Sequence, residues 1–202
     1  MDKLTDVLLQ QAQALSSLEL VAVIMALMYL VLAIRQNITC WIAMGISAVL
    51  YVYLFFDAKL YMQSALNAFY FAMAIYGWRV WHFGRQDDSD LPVTRWPVST
   101  HCYAVVAIAV AAGINAYLLE AFTDGEFPYV DAAIAWAAIW ATFLVARKVL
   151  ENWWYWLVID VASIFIYWSQ DLQLTSLLFA VYVIMIPFGL VSWTRTWKEQ
   201  QA

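Results

Sequence analysis

Charged residues are scarce in this chain. Asp, Glu, Lys and Arg make up 12% of it, whereas soluble domains usually carry about 25%. Hydrophobic residues make up 65%, so a surface facing water would have too few charges to cover it. The charges are also scattered through connecting segments and form no basic patch. We therefore expect an integral membrane protein and exclude a nucleic-acid-binding role.

Cysteine and histidine are rare as well, with two of each in the chain. Cys40 and Cys102 lie near the ends of apolar runs, without a CxxC spacing or neighbouring ligands, which is typical of small apolar residues at a membrane interface. His82 and His101 flank a polar segment and are expected to be solvated. These patterns predict neither a metal site nor a bound cofactor.

Catalytic motifs are missing too. The sequence has no P-loop, no GxSxG turn and no HExxH pair, and its one acid inside an apolar run has no second catalytic partner. A retinal photoreceptor would need a lysine inside the last apolar run, which has none before Lys198. We therefore predict that the chain is not an enzyme, with no catalytic residues, and that it cannot drive transport with ATP by itself.

Seven apolar runs are long enough to cross a membrane, which takes about 20 residues per helix. The segment before them, MDKLTDVLLQQAQALSS, begins with acids and lacks a cleavage site, so it predicts a short interfacial helix. These features predict an all-α integral membrane protein of seven transmembrane helices with no separate soluble domain. The runs lie at about 18–36, 41–56, 60–81, 100–121, 129–148, 152–168 and 173–196.

Lysine and arginine are divided unevenly between the two sides of these spans. Lys3 and Lys59 lie on one side, and the other basic residues lie on the opposite side. By the positive-inside rule, the N-terminus is expected outside and the C-terminus in the cytoplasm. The second group comprises Arg35, Arg79, Arg85, Arg95, Arg147, Lys148, Arg195 and Lys198.

The chain also contains an internal repeat. An offset of 112 residues (189 minus 77) places Gly77 on Gly189 and, without gaps, pairs Arg35 with Arg147, Trp41 with Trp153, Ser64 with Ser176, Tyr70 with Tyr182 and Trp81 with Trp193. This pattern predicts two three-helix units. The predicted organisation is an N-terminal segment (1–17), a first unit (18–81), a loop and linker helix (82–128), a second unit (129–197) and a cytoplasmic tail (198–202).

Three spans alone would reverse the direction of the chain, but the linker helix adds a fourth between the starts of the two units. Both units therefore face the same way across the membrane. This is the parallel-repeat plan of SWEET transporters, in which the axis relating the repeats runs along the membrane normal. Such a SWEET-like plan favours a binding site near mid-membrane, between the two units.

Asp160 lies in the middle of the aromatic-rich run ENWWYWLVIDVASIFIYW. An ionised Asp at the centre of a membrane costs roughly 2.5–3.5 kcal/mol on insertion scales, so a partner or a water-filled cavity is expected beside it. Asp160 is therefore the first candidate for a binding residue. Helical periodicity places on its face Trp153, Trp156, Ser163 and Tyr167.

Two further spans carry polar residues at helical spacing. The third span has Gln63, Asn67 and Tyr70 on one face, and its repeat counterpart has Thr175 and Tyr182. An amide face and an acid face, each with aromatic rings, suit a small cationic heteroaromatic ligand. The alternatives are that the amides join helices to one another and that the tryptophans anchor a span at the interface.

Three stretches resemble the PnuC family of vitamin transporters: ARKVLENWWYWLVIDVASI, LYMQSALNAFYFAMAIYGWRVW and GLVSWTRTW. The resemblance covers nearly the whole chain. It implies a multi-pass transporter of the bacterial cytoplasmic (inner) membrane, which works by facilitated diffusion with intracellular phosphorylation trapping the vitamin. It also implies that Trp153 and Trp156 hold the ligand, together with Asp160 and polar residues of the third span.

Three positions depart from the nicotinamide riboside carriers of the family, which by this resemblance have Gln at Asn67, Asn at Ala74 and Asn at Asp160. A carboxylate favours binding of thiamine, which is a permanent cation, and contributes little to the binding of neutral riboflavin. Thiamine is therefore the expected substrate, nicotinamide riboside the alternative, and riboflavin a weaker one. The alternative from a different functional class is a structural or ligand-sensing membrane protein. The sequence also leaves open whether the chain forms a homo-oligomer.

Overall fold

The computed structural model describes residues 2–57, 59, 61–84, 91–122 and 128–202, and their regular elements are all helices apart from one isolated parallel bridge. Residues 85–90 and 123–127, which belong to the predicted loop and linker region, lie outside the described residues. The helices are α1 (Asp2–Ala14), α2 (Ser17–Ile34), α3 (Cys40–Asp57), α4 (Tyr61–Phe83), α5 (Val98–Phe122), α6 (Pro128–Ala146), α7 (Asn152–Ser169) and α8 (Gln173–Glu199).

Helices α2 to α8 follow the seven predicted apolar runs. Among the described residues, five of them are long and apolar enough to span a membrane, namely α2, α3, α5, α6 and α8. The other two, α4 and α7, contain polar residues such as Asn67 and Asp160 together with many Trp and Tyr, which lowers their mean hydropathy. The described part of the chain is therefore helical, and α4 and α7 together carry most of the candidate binding residues.

The connections between helices repeat their geometry. Four non-glycine residues among those that the structure describes have a left-handed backbone, Gln36 (φ 54), Lys59 (φ 60), Lys148 (φ 49) and Asp171 (φ 58). Gln36 matches Lys148, and Lys59 matches Asp171, at the offset of the internal repeat. A left-handed residue commonly ends a helix because its conformation satisfies the last free carbonyl groups. The turns after α2 and α6, and after α3 and α7, are therefore built alike.

Contacts inside the two three-helix segments also repeat. The hydroxyl of Ser64 donates to the carbonyl of Val52 at 2.9 Å, and that of Ser176 donates to Ile164 at the same distance. Each bond ties the third helix of its segment to the second. A single hydrogen bond of this kind contributes about 1 kcal/mol.

Two glycines allow tryptophan rings to approach the helix backbone. A Cβ atom built on Gly77 would overlap the ring of Trp41, and one built on Gly189 would overlap the ring of Trp153. Each indole therefore packs directly on the backbone of a neighbouring helix. Because any side chain would displace an indole, both positions require glycine for a steric reason.

The two segments join through reciprocal contacts. The last helix of each packs against the first helix of the other, α4 on α6 and α8 on α2. The indole N–H of Trp81 donates to the carbonyl of Ala146 at 3.1 Å, and that of Trp193 donates to Ala33 at 3.0 Å. Reciprocal contacts of this kind are what a two-fold relation between the segments produces.

The described end of the predicted main loop is docked on the start of α7. Thr94 accepts a hydrogen bond from Leu150 at 2.8 Å and donates one to Lys148 at 2.9 Å. Arg95 forms an ion pair of 2.8 Å with Glu151. This stretch therefore connects the linker helix to the second segment.

The prediction that His101 is solvated is wrong. His101 lies inside α5 and is half-buried, with Nδ1 3.1 Å from the hydroxyl of Tyr155 and Nε2 3.9 Å from Glu151. The cause is tertiary, because α5 begins beside α7 and turns this residue toward it. His82 is exposed at the end of α4, and its ring meets Phe83 edge-on.

Candidate ligand-binding site

Helix α7 presents one buried face, as its periodicity predicts. Asp160 and Ser163 are 3% and 2% exposed, whereas Val158 and Phe165 on the opposite side are 70% and 71% exposed. The predicted helical face is thereby confirmed, and its role in binding stays a prediction. The acid is held inside the protein and away from the outer surface of the helix bundle.

Asp160 is buried without full hydrogen bonding. Its Oδ1 atom has no hydrogen-bond partner among the described residues. A buried polar atom that lacks a partner costs about 1–3 kcal/mol, and more when it is charged. Such a carboxylate is therefore suited to receive a donor or a cation from a ligand.

Two tyrosines from different segments surround this acid. Tyr70 on α4 and Tyr182 on α8 lie within electrostatic range of Asp160. They are also partners in the internal repeat, one from each segment. This arrangement combines one negative charge with aromatic surface, which favours a cationic ring.

Trp156 and Tyr70 both pack against α6. Both pack against a small buried cluster that contains Ala138 and Ala141. Tyr182 makes an edge contact with Phe179, with ring centroids 5.6 Å apart, and Phe179 stacks on Tyr167 at 5.2 Å. Because the α6 residues of this cluster are small, the neighbouring helices contribute most of the aromatic surface around it.

The remaining predicted residues lie toward the start of α4 and α8. Gln63 is exposed, and Asn67 and Thr175 are half-buried. The Asn67 amide donates to the carbonyl of Gln63 in its own helix at 2.9 Å, so this bond does not join two helices. These three residues, near the N-terminal ends of α4 and α8, are less buried than Asp160 and Ser163.

The opposite end is closed by four indoles, Trp41, Trp81, Trp153 and Trp193, none of which is more than 3% exposed. We call them the tryptophan closure. Trp41 meets Trp81 edge-on at 5.5 Å, and Trp153 meets Trp193 edge-on at 5.6 Å. The rings of Trp81 and Trp193 lie 6.4 Å apart and join the two pairs. Trp153, predicted to face a ligand, therefore packs within this closure in the structure.

Sequence reasoning overlooked several residues around the site. Tyr51 on α3 lies within electrostatic range of Tyr182, and Tyr29 on α2 packs against Trp41 at 6.1 Å. Lys148 is 3% exposed and lies over the ring of Trp81 at 4.6 Å. Asn152 is completely buried, and its Oδ1 has no hydrogen-bond partner in the described part of the chain. Asn152 lies in the stretch ARKVLENWWYWLVIDVASI, which carries the family resemblance, so the sequence could have indicated it. The roles of Tyr51, Tyr29 and Lys148 depend on the tertiary structure.

The chain is similar to known transporters over most of its length. A protein-family model described as nicotinamide mononucleotide transporter matches residues 16–195. The chain is 27% identical over 213 residues to the nicotinamide riboside transporter PnuC of Escherichia coli, across 92% of this chain and 88% of that protein. It is 25% identical over 178 residues to the riboflavin/roseoflavin transporter RibM of Streptomyces davaonensis, across 87% and 83% of the two chains.

The fold is shared with a solved structure. The crystal structure of the vitamin B3 transporter PnuC superposes with a TM-score of 0.70 at 21% identity, across 89% of this chain and 81% of that one. The resemblance inferred from the sequence is thus confirmed. The chain belongs to the PnuC family, and it is a multi-pass vitamin transporter of the bacterial inner membrane, not an enzyme.

Proposed function

We propose that this transporter carries a cationic vitamin precursor, with nicotinamide riboside as the first candidate. The observation that carries the proposal is Asp160, a buried carboxylate with an unsatisfied oxygen and two repeat-related tyrosines within electrostatic range. The pyridinium ring of nicotinamide riboside offers a positive charge to the acid and a flat face to the aromatic residues. The Escherichia coli relative is a carrier of this compound by name.

Thiamine, which the sequence favoured, is the second candidate. The observation in its favour is that residue 160 is Asp, where by the resemblance nicotinamide riboside carriers have Asn. Thiamine has a permanent thiazolium charge and an aminopyrimidine whose donors suit a carboxylate. Neither compared relative is named as a thiamine carrier, so nicotinamide riboside comes first. Riboflavin is neutral and gains least from the acid.

The proposed architecture is seven membrane-spanning helices, α2 to α8, arranged as two parallel three-helix units with α5 as the linker. Three observations support it: the matched left-handed turns, the matched serine bonds and the reciprocal bonds of Trp81 and Trp193. The rotation axis runs along the membrane normal, with the N-terminus outside and the C-terminus in the cytoplasm.

In this orientation the N-terminal ends of α4 and α8 face the outside, and the tryptophan closure lies at the cytoplasmic end of the site. Transport would proceed by rocking of the two units about the fixed site, as in other repeat-built carriers. The bonds from Trp81 to Ala146 and from Trp193 to Ala33 cross between units, so they must break when the inner end opens. Facilitated diffusion needs no coupling ion, because phosphorylation inside the cell keeps the vitamin from leaving.

Calorimetric binding to the purified protein tests the substrate. Nicotinamide riboside, thiamine and riboflavin are titrated into the unaltered protein and into Asp160→Asn. We expect the two cations to bind, and their affinity to fall by about ten-fold or more in the variant, as for loss of a charge-assisted contact. The matched control is Asp57→Asn, which removes an exposed acid at the end of α3.

The outcomes separate the candidates. Tight binding of nicotinamide riboside with weak binding of thiamine supports the first candidate, and the reverse order supports the second. A combined variant, Asp160→Asn with Asn67→Gln and Ala74→Asn, should shift preference toward nicotinamide riboside. Equal loss of all three ligands together with lower expression would mean that Asp160 is structural, which contradicts the proposal.

A further inference from the structure

A groove that is not lined by Asp160 or by its two neighbouring tyrosines lies between α3 and α4. Its volume is about 500 Å³. Its apolar walls include Ile42, Phe71 and Ile75, whose side chains are 49%, 41% and 52% exposed. Exposed apolar side chains on a membrane-spanning bundle face lipid acyl chains, so the groove opens on the bilayer.

Small residues create this groove. Gly45 and Ala74 both line it, and a Cβ atom added to Gly45 would first meet the Cβ of Ala74, at 3.7 Å. The second three-helix segment carries Leu157 and Ile186 at the matching positions. The first segment thus has small residues where the second has branched ones. A leucine at position 45 would extend into the groove from ordinary contact distance.

One end of the groove is cationic. Arg79 lines it near the C-terminal end of α4, and the described residues include no ion-pair partner for this guanidinium. The matching residue of the second segment is Val191. Phe71 and Arg79 are eight residues apart, which corresponds to about 12 Å of helix and accommodates part of an acyl chain. Trp78, which also lines the groove, is of the type that prefers the membrane interface.

We propose that this groove binds an anionic phospholipid of the surrounding bilayer, with one acyl chain between α3 and α4 and the phosphate on Arg79. A guanidinium pairs well with phosphate because it offers two parallel donors, and a basic residue between membrane helices suits an anionic head group. The apolar walls with one cation at the end match a lipid in shape and in charge.

The bound lipid would contact the transport machinery through Trp41. This indole lines the groove and also packs against Trp81 in the tryptophan closure. An acyl chain in the groove thus supports the outer side of the ring that helps to close the inner end. The inference does not depend on which vitamin is carried.

Native mass spectrometry of the purified, delipidated protein tests the proposal, with dioleoyl phosphatidylglycerol and dioleoyl phosphatidylcholine as probes. We expect the unaltered protein to prefer phosphatidylglycerol, and Arg79→Gln to reduce that preference by about ten-fold. Gly45→Leu should reduce binding of both lipids, because it fills the acyl groove. Gly45→Val serves the same purpose if the leucine variant does not fold.

Two matched controls accompany these variants. Arg147→Gln removes an exposed charge from the same end of the bundle, and Gly113→Leu adds a side chain where nothing lies within 4 Å. Both should bind lipid like the unaltered protein. Unchanged binding by Arg79→Gln or by the position-45 variant would overturn the proposal. If Gly45→Leu dissociates an oligomer while lipid binding persists, the groove binds a second copy of the chain. That result would also overturn the proposal.

Discussion

In both three-helix segments a tryptophan at the start of the second helix packs on a glycine of the third, Trp41 on Gly77 and Trp153 on Gly189. The segments differ in polar groups: the second has Asp160 where the first has Ala48, and the first has Asn67 where the second has Phe179. Residues shared by the repeats make packing contacts that both copies need. We expect the residues that break the repeat to be the ones that recognise an asymmetric ligand.

The largest expected effect comes from breaking a shared contact. Gly189→Ala should destabilise the protein by about 3 kcal/mol, at the upper end of overpacking costs, because its Cβ overlaps the Trp153 ring. The measurement is the thermal unfolding midpoint in detergent. Gly113→Ala, in open space, is the control, and adding Trp153→Leu to Gly189→Ala should recover part of the loss. A midpoint unaltered by Gly189→Ala would contradict this packing.

The second-largest effect is expected from removing a residue that the two segments do not share. Asp160→Ala gives the second segment the residue that the first segment has, and it should lower affinity for the cationic vitamin by roughly 1.5–3 kcal/mol. The same change should raise stability, because it removes a buried carboxylate with an unsatisfied oxygen. Binding calorimetry and thermal unfolding of one preparation measure both effects. Loss of stability together with affinity would indicate a structural acid.

A smaller effect is expected at the closure. Trp81→Phe and Trp193→Phe each remove one bond between the segments, worth about 1 kcal/mol. Trp81→Phe should cost somewhat more, because Lys148 lies over the Trp81 ring and cation–π attraction is strongest for tryptophan. Thermal unfolding measures the costs, and uptake in proteoliposomes reports whether the inner end opens more readily. A greater loss of stability for Trp193→Phe would show that the contact with Lys148 does not make Trp81 the more important of the two tryptophans.

The smallest difference is expected between the paired serines. Ser64→Ala and Ser176→Ala each remove one bond of 2.9 Å to a helix carbonyl, at a cost of about 1 kcal/mol. Because both bonds tie the third helix of a segment to its second, the two unfolding midpoints should fall alike. Ser99→Ala, an exposed residue in the first turn of α5, is the control. Clearly unequal losses would show that the two segments differ in rigidity.

Much of the molecule was determined by the sequence alone. The helix positions follow from apolar runs, the repeat from an offset in the chain, and the burial of Asp160 from its place on one helical face. These features are local or periodic, so each can be derived without knowing which helices touch. The family followed from motifs, and among the site residues the face of α7 was the best predicted.

Only the tertiary structure decided how distant segments meet. Trp153 belongs to the tryptophan closure because α7 crosses α8 at Gly189, and His101 faces Tyr155 because α5 begins beside α7. The crossing bonds of Trp81 and Trp193 likewise depend on how the two segments are placed. The physical reason is that periodicity defines which face of a helix is apolar, whereas the neighbour of that face is set by packing among all the helices at once.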